Sequence, residues 1–117
     1  MAPRRYTKID SEAVFEQAAA QSMQEPVVLF KHSTMCGISH RARRQIEELT
    51  QEHDPPVYEV VIQEDRPLST KIAAWLDVKH QSPQVIILHQ RRPIFDTSHG
   101  RVTADAVREA IENATAS

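Results

Sequence analysis

The chain contains one cysteine, Cys36, in the stretch Phe30-Lys31-His32-Ser33-Thr34-Met35-Cys36-Gly37-Ile38-Ser39. A lone thiol does its chemistry as the thiolate, which attacks disulfide sulfur. Ionisable side chains crowd this one: Lys31 and His32 just before it, His40 and Arg41 just after it. Each is of a type that stabilises a thiolate or accepts a proton, and histidine titrates nearest neutral pH. Three residues beyond Cys36, where a Cys-x-x-Cys dithiol would carry its second sulfur, stands Ser39. A hydroxyl can donate to a thiolate but cannot resolve a mixed disulfide. The implied cycle is therefore monothiol: Cys36 is the nucleophile, and an external thiol completes the exchange. Thr34 is placed to cap a helix or position a substrate.

The flanking sequence tells what must position this thiol. Val27-Val28-Leu29-Phe30 reads as a buried strand, and Ile38, Ala42, Ile46 and Leu49 recur at helical spacing. Cys36 is thus expected at a strand-to-helix turn, where unpaired N–H groups and the helix dipole favour an anion. Upstream, Asp10 or Ser11 caps a helix burying Val14, Phe15, Ala18 and Ala19. Downstream, the helix after Cys36 is expected to run to about His53, and Asp54-Pro55-Pro56 breaks it. Val57 to Ile62 is rich in β-branched residues and reads as a strand. Pro67 suits the start of a helix whose inward stripe is Leu68, Ile72, Trp75 and Leu76. Then come Ser82-Pro83, the apolar run Val85-Ile86-Ile87-Leu88, a charged connection at Gln90-Arg91-Arg92, and a hairpin partner at Pro93 to Asp96. Thr103 caps a last helix burying Ala106, Val107, Ala110 and Ile111.

The order is helix, strand, helix, strand, helix, strand, strand, helix. Alternation of this kind calls for parallel strands joined by right-handed crossovers, with the final hairpin adding an antiparallel strand. The expected fold is α/β, a thioredoxin-like three-layer sandwich: a central mixed four-stranded sheet flanked by helices. The whole chain, 1–117, reads as one domain. Its polar first eight residues read as a loosely ordered start, with Tyr6 to Ile9 available as a short edge strand. By analogy with that fold, Pro83 should follow a cis peptide bond and face the reactive cysteine, leaving the preceding backbone free to pair with a thiol substrate.

Composition narrows the function classes. Hydrophobic residues make up 40% and charged residues 26%, as in ordinary globular proteins, and the net charge of −2 gives no reason to expect nucleic acid or an anionic membrane as partner. Arg41-Ala42-Arg43-Arg44 precedes Glu47-Glu48, which suits i,i+4 pairing on a solvated helix face. No run approaches the roughly 20 apolar residues of a membrane span, and the first residues lack the apolar core of a signal peptide. With no internal disulfide available, the expected compartment is the reducing cytoplasm. Two glycines make no phosphate-binding loop. Six scattered histidines and one cysteine make no closed zinc site, so no metal is expected. There is no nucleophile-elbow serine.

Three segments together resemble one family: Lys31-His32-Ser33-Thr34-x-Cys36-x-Ile38-Ser39, Val78-Lys79-His80-Gln81-Ser82-Pro83-Gln84-Val85, and Ser98-His99 ahead of Thr103-Ala104-Asp105-Ala106. The chain is similar, from about residue 8 to 115, to the monothiol bacilliredoxins of the YtxJ type, proteins of the bacillithiol system. The resemblance implies a thiol–disulfide oxidoreductase in which the cysteine takes bacillithiol from a protein mixed disulfide and a second thiol regenerates it. Its implied partners are a low-molecular-weight thiol and S-thiolated proteins, with bacillithiol as co-substrate, no tightly bound cofactor, and a monomeric protein. The family motif has proline after the cysteine. Here Gly37 stands there, with no fixed φ and one more backbone N–H.

On this reading Cys36 is catalytic, and Lys31, His32, Thr34, Gly37, Ser39 and His40 tune its thiolate. Ser82, Pro83 and Gln84 are the candidates for substrate contact. Ser98 and His99 are expected near the N-terminus of the last helix, where the malate moiety of bacillithiol would find a site for its carboxylates. Two other readings follow from the same stretch. Cys36-Gly37-Ile38-Ser39 is similar to the Cys-Gly-Phe-Ser motif of monothiol glutaredoxins, which hold an iron–sulfur cluster with a bound glutathione. However, Ser98-His99-Gly100 is not their glycine-and-aspartate glutathione motif. The remaining reading is a redox-inert thioredoxin-like interaction module, which predicts a cysteine of ordinary reactivity.

Overall fold

Two residue patterns organise the structure, a computed structural model that describes residues 5–35 and 37–115. Runs such as Val27-Val28-Leu29-Phe30 are apolar on both faces of a strand and need cover on both sides. Helices with one apolar stripe supply that cover. The elements are β1 (Tyr6–Lys8), α1 (Glu12–Gln21), β2 (Val27–His32), α2 (Gly37–Ile46), β3 (Val57–Val61), α3 (Arg66–Leu76), β4 (Gln84–His89), β5 (Arg92–Ser98), a 3-10 turn (His99–Arg101) and α4 (Ala104–Thr115). They form one five-stranded sheet in the order β1-β3-β2-β4-β5. β1, β3 and β2 run parallel, while β4 lies antiparallel to β2 and β5 antiparallel to β4.

The three-layer α/β plan is as expected, but the sheet has five strands rather than four. The fifth is β1, pinned at its end by the Ile9 N–H donating to the Glu59 carbonyl (2.7 Å) and by burial of Ile9. Alternation along the strands splits the core. Phe15, Ala18, Leu68 and Ile72 of α1 and α3 cover Leu29, Val60 and Ile86 on one face. Ala42, Ile46 and Val107 of α2 and α4 cover Val28, Phe30, Val57 and Ile87 on the other. Val27 to Phe30 are fully buried, as the centre of such a sheet requires.

Helix ends follow their chemistry. Ser11 caps α1 by accepting from the Val14 N–H (3.3 Å), Asp65 caps α3 by accepting from Leu68 (3.1 Å), and Thr103 caps α4 by accepting from Ala106 (3.0 Å). Two sequence expectations fail locally. α2 stops at Ile46 rather than near His53; the chain turns there and tucks Leu49 into the core, 1% exposed. Asp54, held by a two-point Arg108 contact at 3.0 Å on each oxygen, then anchors the connection to α4. Trp75 is not an inward residue: it stacks on Phe15 at 5.0 Å and stays half exposed.

Candidate functional site

Cys36 lies outside the described residues, so the site is built from what brackets it. Before it, β2 ends at His32 and Ser33, Thr34 and Met35 lead away; after it, Gly37 opens α2. Thr34 and Met35 are exposed, Met35 to 86%, so apolar burial does not hold these residues. Hydrogen bonds do. Ser39, buried on the inner side of α2, accepts from the Ser33 N–H (3.2 Å). His40 Nε2 donates to the Thr34 carbonyl (2.8 Å), and Ser33 Oγ accepts from the Met35 N–H (3.2 Å). Ser39, which stands where a dithiol would carry sulfur, therefore ties the first turn of α2 to the end of β2. His40 is exposed but engaged. At Gly37 an added Cβ would meet nothing within 4 Å.

A third tether comes from a residue that sequence reasoning missed. Gln63, in the β3–α3 connection, reaches Thr34 across 29 residues of sequence. With its amide oxygen turned toward the loop, Gln63 accepts from the Thr34 N–H (3.0 Å), the Met35 N–H (3.2 Å) and the Ser33 hydroxyl (2.9 Å).

On the α2 side of the sheet, His32 is buried and stacks on Phe30 with ring centroids 4.8 Å apart. Its Nε2 lies 3.2 Å from the carboxylate of Glu59, also buried. Tyr6 donates its hydroxyl to the same carboxylate, and the Arg43 guanidinium stands 3.5 Å away over the Tyr6 ring. Burial alone would raise the Glu59 pKa, but the His32 imidazole beside it, the hydrogen bond from Tyr6 and the charge of Arg43 outweigh it and hold Glu59 below the ordinary value. Burial, then the bond to Glu59, pushes the Tyr6 phenol well up. Between this cluster and the loop is a small cavity of about 120 Å³ lined by His32, Ser33, Thr34, His40 and Arg43.

Lys31 points to the opposite face and is fully buried. Its Nζ has no hydrogen-bond partner among the described residues, and burial pushes its amine down from 10.5 to about 8. Beside it on β4 is Gln84, its cross-strand partner, itself buried. The Gln84 amide donates to the Lys79 carbonyl (3.0 Å) and accepts from the Gln81 N–H (3.3 Å), so it shapes the loop before β4. Nearby, His80 lies 3.4 Å from the Ser69 hydroxyl; burial, then the charges of Lys31 and Arg66, lowers its pKa.

The Ser82–Pro83 bond is cis, as the fold analogy anticipates. Ser82 Oγ is buried without a partner among the described residues. The Pro83 carbonyl accepts from the His99 N–H (2.9 Å), and Ser98 lies opposite Gln84 on β5. The structure therefore brings Ser82, Pro83, Gln84, Ser98 and His99 into one strip, with Lys31 in the next strand. Ser98 and His99 precede the last helix by a short 3-10 turn, His99–Arg101, and two donors at the start of α4 are already taken: Ala104 N–H by Gln45 (3.1 Å) and Ala106 N–H by Thr103. His99 turns with φ 56°, its Nδ1 at 3.1 Å from Ser98 Oγ. Among the described residues no group of three or more His, Cys, Asp or Glu is placed to hold a metal, and no helix is long and apolar enough to cross a membrane.

A family model for the monothiol bacilliredoxin BrxC matches residues 7–107. The chain belongs to the monothiol bacilliredoxin family. Solved structures agree on the scaffold. A protein described as a candidate oxidoreductase with a thioredoxin fold superposes with a TM-score of 0.81 at 30% identity, covering 90% of this chain and 92% of its own. An N21Q mutant thioredoxin from Halobacterium salinarum matches at 15% identity and TM-score 0.73 (97% and 93% covered), and thioredoxin f from spinach chloroplast at 20% and 0.73 (97% and 96%). At such identities the thioredoxins speak for the fold alone. The bacilliredoxin match and the thioredoxin fold together make this chain a thiol–disulfide oxidoreductase of the thioredoxin-like superfamily.

Proposed function

We propose that this bacilliredoxin removes bacillithiol from protein mixed disulfides through Cys36. The Cys36 thiolate attacks the bacillithiol sulfur of a protein–S–S–bacillithiol bond. A Cys36–S–S–bacillithiol bond forms, the S–S bond between the protein sulfur and the bacillithiol sulfur breaks, and the protein leaves as its thiolate. A second low-molecular-weight thiol, deprotonated, then attacks the adduct and releases Cys36; no net redox change occurs at the enzyme. The observation that carries the reading is the single cysteine of a chain whose family is the monothiol bacilliredoxins. Ser39, occupied with the Ser33 N–H, supports it as a loop tether in the place of a resolving thiol. Lys31, His32, Thr34, Gly37 and His40 remain the groups proposed to tune the thiolate, and the Ser82–Gln84 and Ser98–His99 strip is the proposed contact for the thiolated substrate. The cytoplasm, where small thiols are reduced, is the proposed setting, with the protein acting as a monomer.

The test uses a protein carrying one bacillithiol in mixed disulfide. On mixing with reduced enzyme, the substrate should lose the bacillithiol mass and the enzyme gain it, with no transfer to Cys36→Ser. Loss from the substrate at the same rate with Cys36→Ser would reject the proposal. A wild-type enzyme that leaves the substrate untouched would reject it also and favour the cluster-binding or redox-inert reading.

A further inference from the structure

The residues before Cys36 project from the sheet with little apolar cover, yet several groups hold them. Of these, Gln63 is the one that comes from outside the β2–α2 segment itself. Its own backbone is well fixed. The Ile62 N–H donates to the His32 carbonyl (3.0 Å), extending the parallel ladder. The Glu64 and Asp65 N–H groups then donate to Val61 (3.1 and 3.3 Å), closing a tight turn, and Asp65 caps α3. The side chain thus leaves a rigid corner between the ends of β3 and α3.

We propose that Gln63 is a positioning residue for exchange at Cys36: its neutral amide oxygen gathers the Thr34 and Met35 N–H groups and the Ser33 hydroxyl, fixing the residues that precede the thiol in the chain without adding a charge to their loop. The inference rests on Cys36 being the exchanging thiol. Geometry supports it, since one oxygen at 2.9–3.2 Å from four donors, the Thr34 hydroxyl (3.0 Å) among them, restrains three consecutive residues at once. Chemistry supports the choice of an amide. A carboxylate would accept the same bonds and accept them more strongly, but a negative charge close to a thiol favours its protonated form. The other ionisable groups facing this region are positive or already engaged. His32 on β2 pairs with Glu59, and His40 on α2 donates to Thr34. Lys31 on β2 is a buried amine on the far face of the sheet. In the connection itself, Glu64 pairs with Lys8 of β1 and Asp65 serves α3. Gln63 therefore supplies an acceptor where an acidic residue would oppose thiolate formation.

Two substitutions separate holding the loop from charge. Gln63→Met keeps the length and removes the acceptor. Thr34 and Met35 amides should exchange with solvent at least about tenfold faster, and reaction of Cys36 with hydroxyethyl disulfide, a neutral probe, should slow about tenfold. Gln63→Glu keeps the acceptor and adds charge. Amide protection should stay, while the pH midpoint of Cys36 alkylation by iodoacetamide should rise by about one unit, cutting the thiolate fraction about tenfold at pH values well below the midpoint. Should Gln63→Met fail to fold, Gln63→Asn, which keeps the amide but shortens its reach, repeats that arm. Unchanged amide protection and disulfide reactivity in the Met or Asn variant, or an unmoved alkylation midpoint in Gln63→Glu, would overturn the proposal. None of these readouts involves bacillithiol, so failure of the proposed substrate and failure of the Gln63 role are seen separately.

Discussion

Replacing Lys31 with Met should stabilise the protein near neutral pH and remove a pH dependence that the buried amine creates. Methionine matches the lysine stem in length and carries no group that needs water. In the folded state burial lowers the amine from 10.5 to about 8, and no hydrogen-bond partner among the described residues offsets the loss of hydration. At about 1.4 kcal/mol per pH unit, that depression corresponds to about 3 kcal/mol against the charged form. The sign follows from proton counting. Between pH 8 and 10.5 the unfolded chain holds a proton on Lys31 that the folded chain has released, so stability rises with pH across that window. Below pH 8 both forms are protonated and the cost is fully present. Urea unfolding of wild type and Lys31→Met at pH 7, 8, 9 and 10.5 measures the difference, in which the titration of Tyr6 and Tyr58 is common to both proteins. The variant should be more stable by up to about 3 kcal/mol at pH 7, with the advantage shrinking toward pH 10.5. A constant difference across the range, or a Met variant less stable at pH 7, would refute the reasoning. A cost of this size marks Lys31 as a functional-site candidate. If Lys31 tunes Cys36, the same variant should also raise the pH at which Cys36 becomes alkylated.

Other expectations follow from neighbouring contacts. Glu59→Gln removes the charge that His32, Tyr6 and Arg43 surround, and should cost about 1–3 kcal/mol at pH 7. Because the Glu59 pKa is depressed on folding, its contribution is present above the unfolded value of 4.5 and lost as pH falls through the lower folded value. Urea midpoints of the two proteins should therefore converge in acid, and a gap independent of pH would count against the cluster as described. Gly37→Pro restores the family residue at the first position of α2, where proline is tolerated and the space is open. Thermal unfolding should show a gain of about 0.4–1 kcal/mol from the stiffer unfolded chain. A net loss would mean that this turn needs the Gly37 N–H or its freedom in φ.

Much of this architecture is legible in the sequence because it depends on local periodicity. The alternation of strand and helix, the caps at Ser11 and Thr103, and the strand-to-helix approach to Cys36 are all written within a few residues of where they act. The cis bond at Ser82–Pro83 comes instead through the fold analogy. What sequence reading misses depends on which strands become neighbours. Nothing local in the sequence marks Lys31 as buried, yet β2 lies between β3 and β4, and Lys31 is fully covered there. Glu59 looks like the polar member of an alternating strand until β1 joins the edge and brings Tyr6 to it. Its one sequence hint is a charge inside the apolar run Val57-Tyr58-Glu59-Val60-Val61. Gln63 carries no local signal, since parallel pairing of β2 and β3 is what brings residue 63 to residue 34. The 3-10 turn between Ser98 and α4 is equally silent, since its three residues leave no periodicity to read.

The central claim is that Cys36 exchanges by itself with a bacillithiol mixed disulfide. Reduced protein should be mixed with bacillithiol disulfide and, separately, with glutathione disulfide, and intact mass followed over time beside Cys36→Ser. The account predicts a rapid bacillithiol adduct on wild type alone, slower adduct formation with glutathione, and removal of the adduct by free bacillithiol. No adduct with either disulfide, or a faster glutathione adduct, would contradict it.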